Sequence, residues 1–534
     1  MAGVFFHTVL RWGLLAVLLA IVLIPLRDIP TGIETQAQLE VSSMDEAAMV
    51  YRIMGNLERG DLDPRGEFNY GAFYPTVATG VIAGLEAIGV EGTEKRIALT
   101  CRLISWLCYL GLLMIIFAIL RRVGVSIDVS LLSALMLASG PDLHYWAQHI
   151  HPDVPQAFLI ALAFWIVSRR QTWPWTILAA FVCGVAFGTK YSGVFAVGFV
   201  LLPALLMRTE SAWAIVVGPL LSLIAFLAGW LAFNPYVLIS TQEFWRDLQF
   251  ERIHVGFGHY VAEPRNPLLW LSIWFQESRS AGAWLVALGL ALAVWHLLRP
   301  NVGADRSQAA RRFLWLVAGY VATSVLYLGA AVVMRRMRYS LHFWPLLFVL
   351  VGFGLDRGLM MLRRRNRASA EGAWSIAVAC GLVLGMSTAV SRGPGSVAIE
   401  DPIFAAAEWM AERYDPSTPI VADAYFYRHP HFKILHVVPG VKPDNLLEHE
   451  AFVVVLLQRT SGSWSWKEPD TRFEEHRFRI GGRADSEAVQ QFHRELTAPT
   501  SPYHVVYETD SVVILELKED VFESDAPPTR TPQD

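Results

Sequence analysis

The residues best suited to chemistry in this chain are polar groups set where an apolar sequence should not carry them. Arg335, Arg336 and Arg338 stand in MRRMRYSLHFWP between two long apolar runs, and Lys190 stands in FGTKYSGVF between two more. His149, His151 and Asp153 share WAQHIHPDVPQAF, and Asp45 and Glu46 share SSMDEAAMVYRIM. Arginine's planar fork binds phosphate through two parallel hydrogen bonds, and fixed cations neutralise the charge that grows on a departing phosphate. A carboxylate beside an acceptor hydroxyl can take its proton. Together these types suit group transfer from a lipid phosphate.

Each residue also has a plainer use. An Asp-Glu pair opening an amphipathic helix complements the helix dipole. Asp153 caps a helix whose first turn holds Pro155, and Lys190 can simply snorkel to the interface. Two His and an Asp within five residues also supply ligands for a divalent cation, with His149, His151 and Asp153 as the set, although the spacing alone does not distinguish a metal site from a cap. Convergence favours chemistry: Asp45, Glu46, His151, Asp153, Lys190, Arg335, Arg336 and Arg338 come from separate regions, yet all fall on one side of the membrane when the topology is drawn.

That topology follows from composition. The 534 residues are 54% hydrophobic with 19 Trp and a mean hydropathy of +0.38, where soluble domains hold about 45–50% apolar residues. The chain is predicted to be an integral membrane protein. A net charge of -4, with basic residues in short clusters, argues against nucleic-acid binding. Apolar runs at or near the length that crosses about 30 Å of hydrocarbon extend over Trp12 to Leu26, Ile97 to Leu120, Val129 to Ser139, Val154 to Val167, Trp173 to Gly188 and Gly193 to Met207. Others follow over Ala212 to Phe233, Ala283 to Leu298, Phe313 to Met334, Ser340 to Leu362 and Trp374 to Val390, giving eleven expected helices. With the N-terminus inside, Arg121 and Arg122, Arg169 and Arg170, Arg208, Arg299 to Arg312 and Arg363 to Arg367 all fall in cytoplasmic loops. A twelfth span at Tyr70 to Val90 would invert this, so that segment is read as interfacial or re-entrant. The first helix lacks an A-x-A site and reads as an uncleaved anchor.

Residues 1–392 are thus expected to form the transmembrane domain, with outer loops at 27–96 and 234–282. Residues 393–520 form a small extracytoplasmic α/β domain, with a helix at Phe404 to Tyr414 and strands at Pro419 to Ala422, Phe452 to Leu457 and Val505 to Leu517. The tail 521–534 is polar and expected to be disordered. The cysteines Cys101, Cys108, Cys183 and Cys380 lie in apolar helices, so no disulfide framework is implied. The loop 234–282, with HVGFGHYVAEPRNP, is placed either to cover the site as a gate or to anchor at the interface through Trp245, Trp270 and Trp274.

The order of these motifs, with the segment FYPTVATGVIAGLEAIGVEGTEKRIALTCRLIS and the helix RYSLHFWPLL, resembles the polytopic glycosyltransferases of the GT-C superfamily. Within it the chain is similar to the protein O-mannosyltransferase and lipid A aminoarabinose transferase group with its RgtA/B/C/D-like relatives, over roughly residues 10 to 390. The resemblance implies a sugar moved from a polyprenyl-phosphate donor to an extracytoplasmic acceptor (lipid, glycan or protein), with inversion. It places this at the bacterial inner membrane, with the site and C-terminal domain outside the cytoplasm. Asp45 would be the base or would orient the acceptor, with Glu46 beside it and Asp153 the acidic position of the second outer loop. His151 would assist, with or without a metal, Lys190 and Arg338 would hold the carrier phosphate with Arg335 and Arg336 as helpers, and Tyr74 and Pro75 are structural. No β-trefoil repeats of the eukaryotic mannosyltransferases are evident, which weakens a protein acceptor. The competing class is a transporter or lipid flippase, which expects ionisable residues near helix midpoints and symmetric halves; Arg102 is the main residue in its favour.

Overall fold

In the computed structural model the apolar runs are helices whose limits coincide with proline or charge. It describes residues 2–30, 33, 44–64, 68, 70–170, 172–198, 212–257, 268–299, 306–332, 337–391, 402–423, 434–437, 453–457, 495–496, 498–509 and 512–518. The chain divides into two compact units. One comprises Met1–Thr31, Ala48–Gln249 and Arg265–Pro394; the other comprises Gly32–Ala47, Phe250–Pro264 and Gly395–Asp534.

The helices are α1 (Ala2–Asp28), α2 (Met44–Arg59), α3 (Phe73–Glu86), α4 (Glu94–Arg122), α5 (Ile127–Ala138), α6 (Pro141–Trp146), α7 (Asp153–Arg169), α8 (Trp173–Phe187), α9 (Ala212–Phe233), α10 (Thr241–Phe257), α11 (Leu268–Leu298), α12 (Arg306–Ala331), α13 (Trp344–Arg365) and α14 (Arg367–Ser391). Proline in the first turn starts α6, α8 and α13, because its fixed φ suits a position whose N–H has no helical partner. Thr93 starts α4, its hydroxyl accepting from Arg96 N at 3.4 Å. Basic residues close several helices, Arg121 and Arg122 on α4 and Arg363, Arg364 and Arg365 on α13, where they complement the negative end of the dipole.

Among the described residues, five helical segments are long and apolar enough to cross a bilayer, Glu94–Arg122, Val216–Phe233, Gln308–Ala331, Trp344–Arg365 and Arg367–Ser387. A sixth is a pair bent by 113°, Trp270–Ser278 with Gly282–Leu298. Helices α5, α7 and α8, of 12, 17 and 15 residues, reach only about 18–26 Å at 1.5 Å per residue. They fall short of about 30 Å unless neighbouring polar turns complete the crossing. Helix α3 has 14 residues, about 21 Å, and begins at Phe73 within the segment read as interfacial or re-entrant. The run expected from Ser340 starts at Trp344 instead, since Pro345 sets the helix start and residues Met337–Ser340 form a 3-10 turn. The run from Gly193 lies outside the described residues beyond Gly198.

The stretch 234–282, expected as a loop, is largely helical: α10 occupies Thr241–Phe257 and α11 begins at Leu268. Residues 258–267 of the expected gate lie outside the described residues.

Close helix contact is made by glycine. A Cβ on Gly184 of α8 would sit 1.9 Å from the Phe226 carbonyl oxygen of α9, and one on Gly229 of α9 would sit 2.1 Å from the Phe181 carbonyl oxygen. Paired small residues let the two backbones touch, as membrane helices require when no hydrophobic force draws them together. Arg102 is 3% exposed and donates from Nη1 to the Ile29 carbonyl at 2.9 Å, a backbone contact that accounts for a buried cation in α4.

In the second unit, α15 (Pro402–Arg413) packs on a sheet ordered β2-β1-β3-β5-β4. Strands β1 (Ile420–Asp423), β2 (Ile434–Val437) and β3 (Val453–Leu457) are parallel, and β4 (Tyr503–Glu508) and β5 (Val512–Leu517) add antiparallel. The single expected strand at 505–517 is therefore a hairpin, whose break falls where Thr509 bonds Val512. Ala406, Ala407 and Met410 meet Ile420, Val453, Val455, Val512 and Ile514 in its core. The tail from 521 lies outside the described residues.

Candidate functional site

Asp153 opens α7 just before the apolar run Val154 to Val167, with Pro152 ahead of it and Pro155 behind. The chain cannot be helical before this point with ease, since the residue preceding proline is driven away from helical geometry. The carboxylate is therefore delivered at a helix mouth, 2% exposed. Its Oδ1 lies 2.5 Å from Lys190 Nζ and its Oδ2 lies 2.7 Å from His151 Nδ1. The other ring nitrogen of His151, Nε2, faces Arg338 Nη1 at 3.5 Å. The sequence motifs HPDVP, GTKYSG and RYSLHFWP thus meet as one chain, Lys190, Asp153, His151 and Arg338. Burial alone would raise the Asp153 carboxyl, but Lys190 and His151, with Arg338 beyond, outweigh it and hold it well below the ordinary carboxylate range.

Aromatic rings build the wall. Lys190 Nζ lies 5.0 Å from the Tyr339 ring, and the Arg338 guanidinium lies 5.5 Å from Tyr339 and 5.7 Å from Trp146. Trp146 and Tyr70 enclose the His151 ring at 4.6 and 5.6 Å. Low dielectric around two cations strengthens their pull on an anion.

Lys190 is positioned from two directions. Gln156, one turn after Asp153, donates to the Lys190 carbonyl at 2.5 Å and accepts from Ser192 Oγ at 3.1 Å. Asn234 ties the same turn to the GAFYP segment, its Oδ1 accepting from Ala72 N at 2.7 Å and its Nδ2 donating to the Gly188 carbonyl at 3.2 Å. Phe73 N also bonds the Gly188 carbonyl at 3.1 Å. Tyr74 is fully buried, donating to the Cys101 carbonyl at 2.5 Å beside Ser105 Oγ, and so has the structural part expected of it. A Cβ at Gly71 would stand 1.9 Å from the Gly188 oxygen. Gly71→Ala is therefore expected to displace the lysine turn, lowering thermal stability by about 1–3 kcal/mol; an unchanged melting temperature would refute this.

His149 does not join the cluster. It stacks on Tyr145 at 3.9 Å, and its Nδ1 lies 2.7 Å from the Tyr145 carbonyl. Among the described residues no three His, Cys, Asp or Glu side chains come together as metal ligands. Asp153 has both oxygens committed to Lys190 and His151, and an ammonium at 2.5 Å is a poor neighbour for a divalent cation. The set His149, His151 and Asp153 does not fit a metal. Glu46 lies in α2 and is fully buried. Asp45 starts the same helix with its side chain outside the described residues, as are Arg335 and Arg336 entirely.

The sequence reading missed the aromatic wall, Gln156, Asn234 and His342. His342 is 3% exposed, and burial, then Lys190, push its imidazole down to about 4, so it stays neutral near the lysine. Gln156 could have been found as the polar residue three places after Asp153, on the same face.

Comparison with known proteins bears on what this site belongs to. Residues 85–238 match the PMT family, dolichyl-phosphate-mannose-protein mannosyltransferase. No curated protein sequence matches the chain. Among solved structures it is similar to ArnT from Cupriavidus metallidurans bound to undecaprenyl phosphate, at 15% identity and TM-score 0.52, over 94% of this chain and 97% of that one. The apo form of the same protein matches at TM-score 0.52 over 96% and 98%. The oligosaccharyltransferase of Archaeoglobus fulgidus matches at 12% identity and TM-score 0.48, over 83% and 67%. The chain thus shares the fold of ArnT along nearly its whole length, and within it residues 85–238 match a family of membrane mannosyltransferases.

Proposed function

We propose that the protein transfers a sugar from a polyprenyl-phosphate carrier to an acceptor on the extracytoplasmic side of the bacterial inner membrane. The observation that carries this reading is the buried chain of Lys190, Asp153, His151 and Arg338, a pair of cations fixed at helix mouths. The acceptor hydroxyl attacks the anomeric carbon, and the bond from that carbon to the phosphate oxygen breaks. The electron pair leaves with the carrier phosphate, which gains one negative charge that Lys190 and Arg338 stabilise. The hydroxyl proton passes to a carboxylate. Asp153 is held too acidic by its partners to serve well as that base, so the role goes to Asp45, with Glu46 beside it, while Asp153 orients Lys190 and His151. Arg335 and Arg336 supply further positive charge near the phosphate.

Several features support the reading. The fold is shared with a protein whose structure holds undecaprenyl phosphate, and the family segment is that of dolichyl-phosphate-mannose transferases. The basic loop clusters favour the inward N-terminus by the positive-inside rule. A transporter or flippase would need charges along a path at mid-membrane, whereas Asp153 and Arg338 stand at helix mouths and Arg102 is engaged with backbone.

The test is turnover of a panel of polyprenyl-phosphate-linked sugars by the purified protein, read as release of free carrier phosphate. One sugar is expected to be consumed in preference to the rest. Consumption of none, or of nucleotide sugars alone, overturns the reading.

A further inference from the structure

Glu277 is a lone carboxyl group in LLWLSIWFQESRS, 4% exposed, and burying it costs several kcal/mol unless it is engaged. It is engaged by the N-terminus of α6. Oε1 and Oε2 accept from Asp142 N at 3.0 and 3.1 Å, a donor that a helix start leaves without a helical partner. The approach depends on Gly140, where a Cβ would meet Oε1 at 2.7 Å.

The same helical face reaches the other side of the cation pocket. Trp270, Trp274 and Glu277 lie at i, i+4 and i+7, a single stripe of α11. Trp270 Nε1 donates to the Leu328 carbonyl at 3.2 Å at the end of α12, and Trp274 Nε1 donates to Ser340 Oγ at 2.9 Å. Ser340 closes the turn that carries Arg338, and α6 ends in Trp146, whose ring faces the Arg338 guanidinium. One rigid post therefore grips both arms of the pocket.

We propose that Glu277 is a positioning residue that, together with Trp274, sets the separation between Trp146 and Arg338 and so the fit of the carrier phosphate. This rests on the reading of Lys190 and Arg338 as the phosphate site. A group that is misplaced by about 1 Å can cost 100-fold in rate; loss of one of several restraints is a smaller displacement.

The experiment compares donor KM, kcat and melting temperature for the wild type, Glu277→Ala, Glu277→Gln, Trp274→Phe and Arg338→Ala. Glu277→Ala is expected to raise donor KM roughly tenfold with acceptor KM unchanged. Glu277→Gln should stay within about threefold, because its amide oxygen still accepts the Asp142 N–H. Trp274→Phe should raise donor KM in the same sense. If Glu277→Ala cannot be purified, Gly140→Ala displaces the carboxyl group and carries the same expectation. The inference is overturned if these variants leave donor KM unchanged, or if Glu277→Gln is as impaired as Glu277→Ala. Arg338→Ala separates the two ideas: donor binding retained there sinks the phosphate site itself, whereas binding lost there but intact in Glu277→Ala sinks only the positioning role.

Discussion

Arg338→Ala is expected to lower kcat/KM for the proposed lipid-linked donor by about 100- to 1000-fold, the range for loss of one preorganised donor at a site of developing charge. The guanidinium stands between two ring faces and the Nε2 of His151, so its fork is oriented before any ligand arrives and little rotamer freedom is lost on binding. The carrier phosphate bears one charge as the donor diester and two after the sugar has left, so the interaction strengthens along the reaction. Both KM and kcat should therefore suffer. Arg338→Lys keeps the charge but loses the planar fork, and its recovery should be partial. Initial rates of carrier release, with direct binding of polyprenyl phosphate in detergent, test this. Wild-type affinity for polyprenyl phosphate in Arg338→Ala would remove the residue from the site.

The residues that meet in this site were largely legible because charge is costly beside hydrocarbon. Asp153, Lys190, His151 and Arg338 each broke an apolar pattern, and the structure brings all four together. What was not legible is the support. Trp146, Tyr339 and Asn234 look ordinary in a chain with 19 Trp and 16 Tyr, and their part depends on which helices are neighbours. His149 differs from His151 by two positions, yet one ring stacks on Tyr145 and the other meets Asp153. At a helix mouth two residues amount to more than half a turn. Helix positions were read well from hydropathy, but their limits followed proline, as at Trp344. Helix α10 lacks the length of apolar sequence that marks a span, so hydropathy alone does not reveal it.

The two acidic sites are expected to fail in different ways. Asp45→Asn should lower kcat by about 100- to 10,000-fold, the usual worth of a positioned acid-base group, with donor binding close to wild type. The loss should persist at any donor concentration, because an amide cannot take the acceptor's proton. Asp153→Asn removes the partner of Lys190 and His151 instead, and breaking one side of a buried pair costs about 3–5 kcal/mol. That variant should melt at lower temperature and bind the donor poorly. The pH dependence distinguishes them again. The folded Asp153 carboxyl is held below its unfolded value, so the stability it confers is complete above about pH 4 and is lost as the pH falls through and below that value. Wild type and Asp45→Asn should share this acid-side decline, while Asp153→Asn, having no such carboxylate, should show a flatter curve from an already lower melting temperature. If Asp45→Asn retains wild-type kcat while Asp153→Asn loses turnover with its stability intact, the proton is taken by Asp153, and the depressed carboxylate is the base after all.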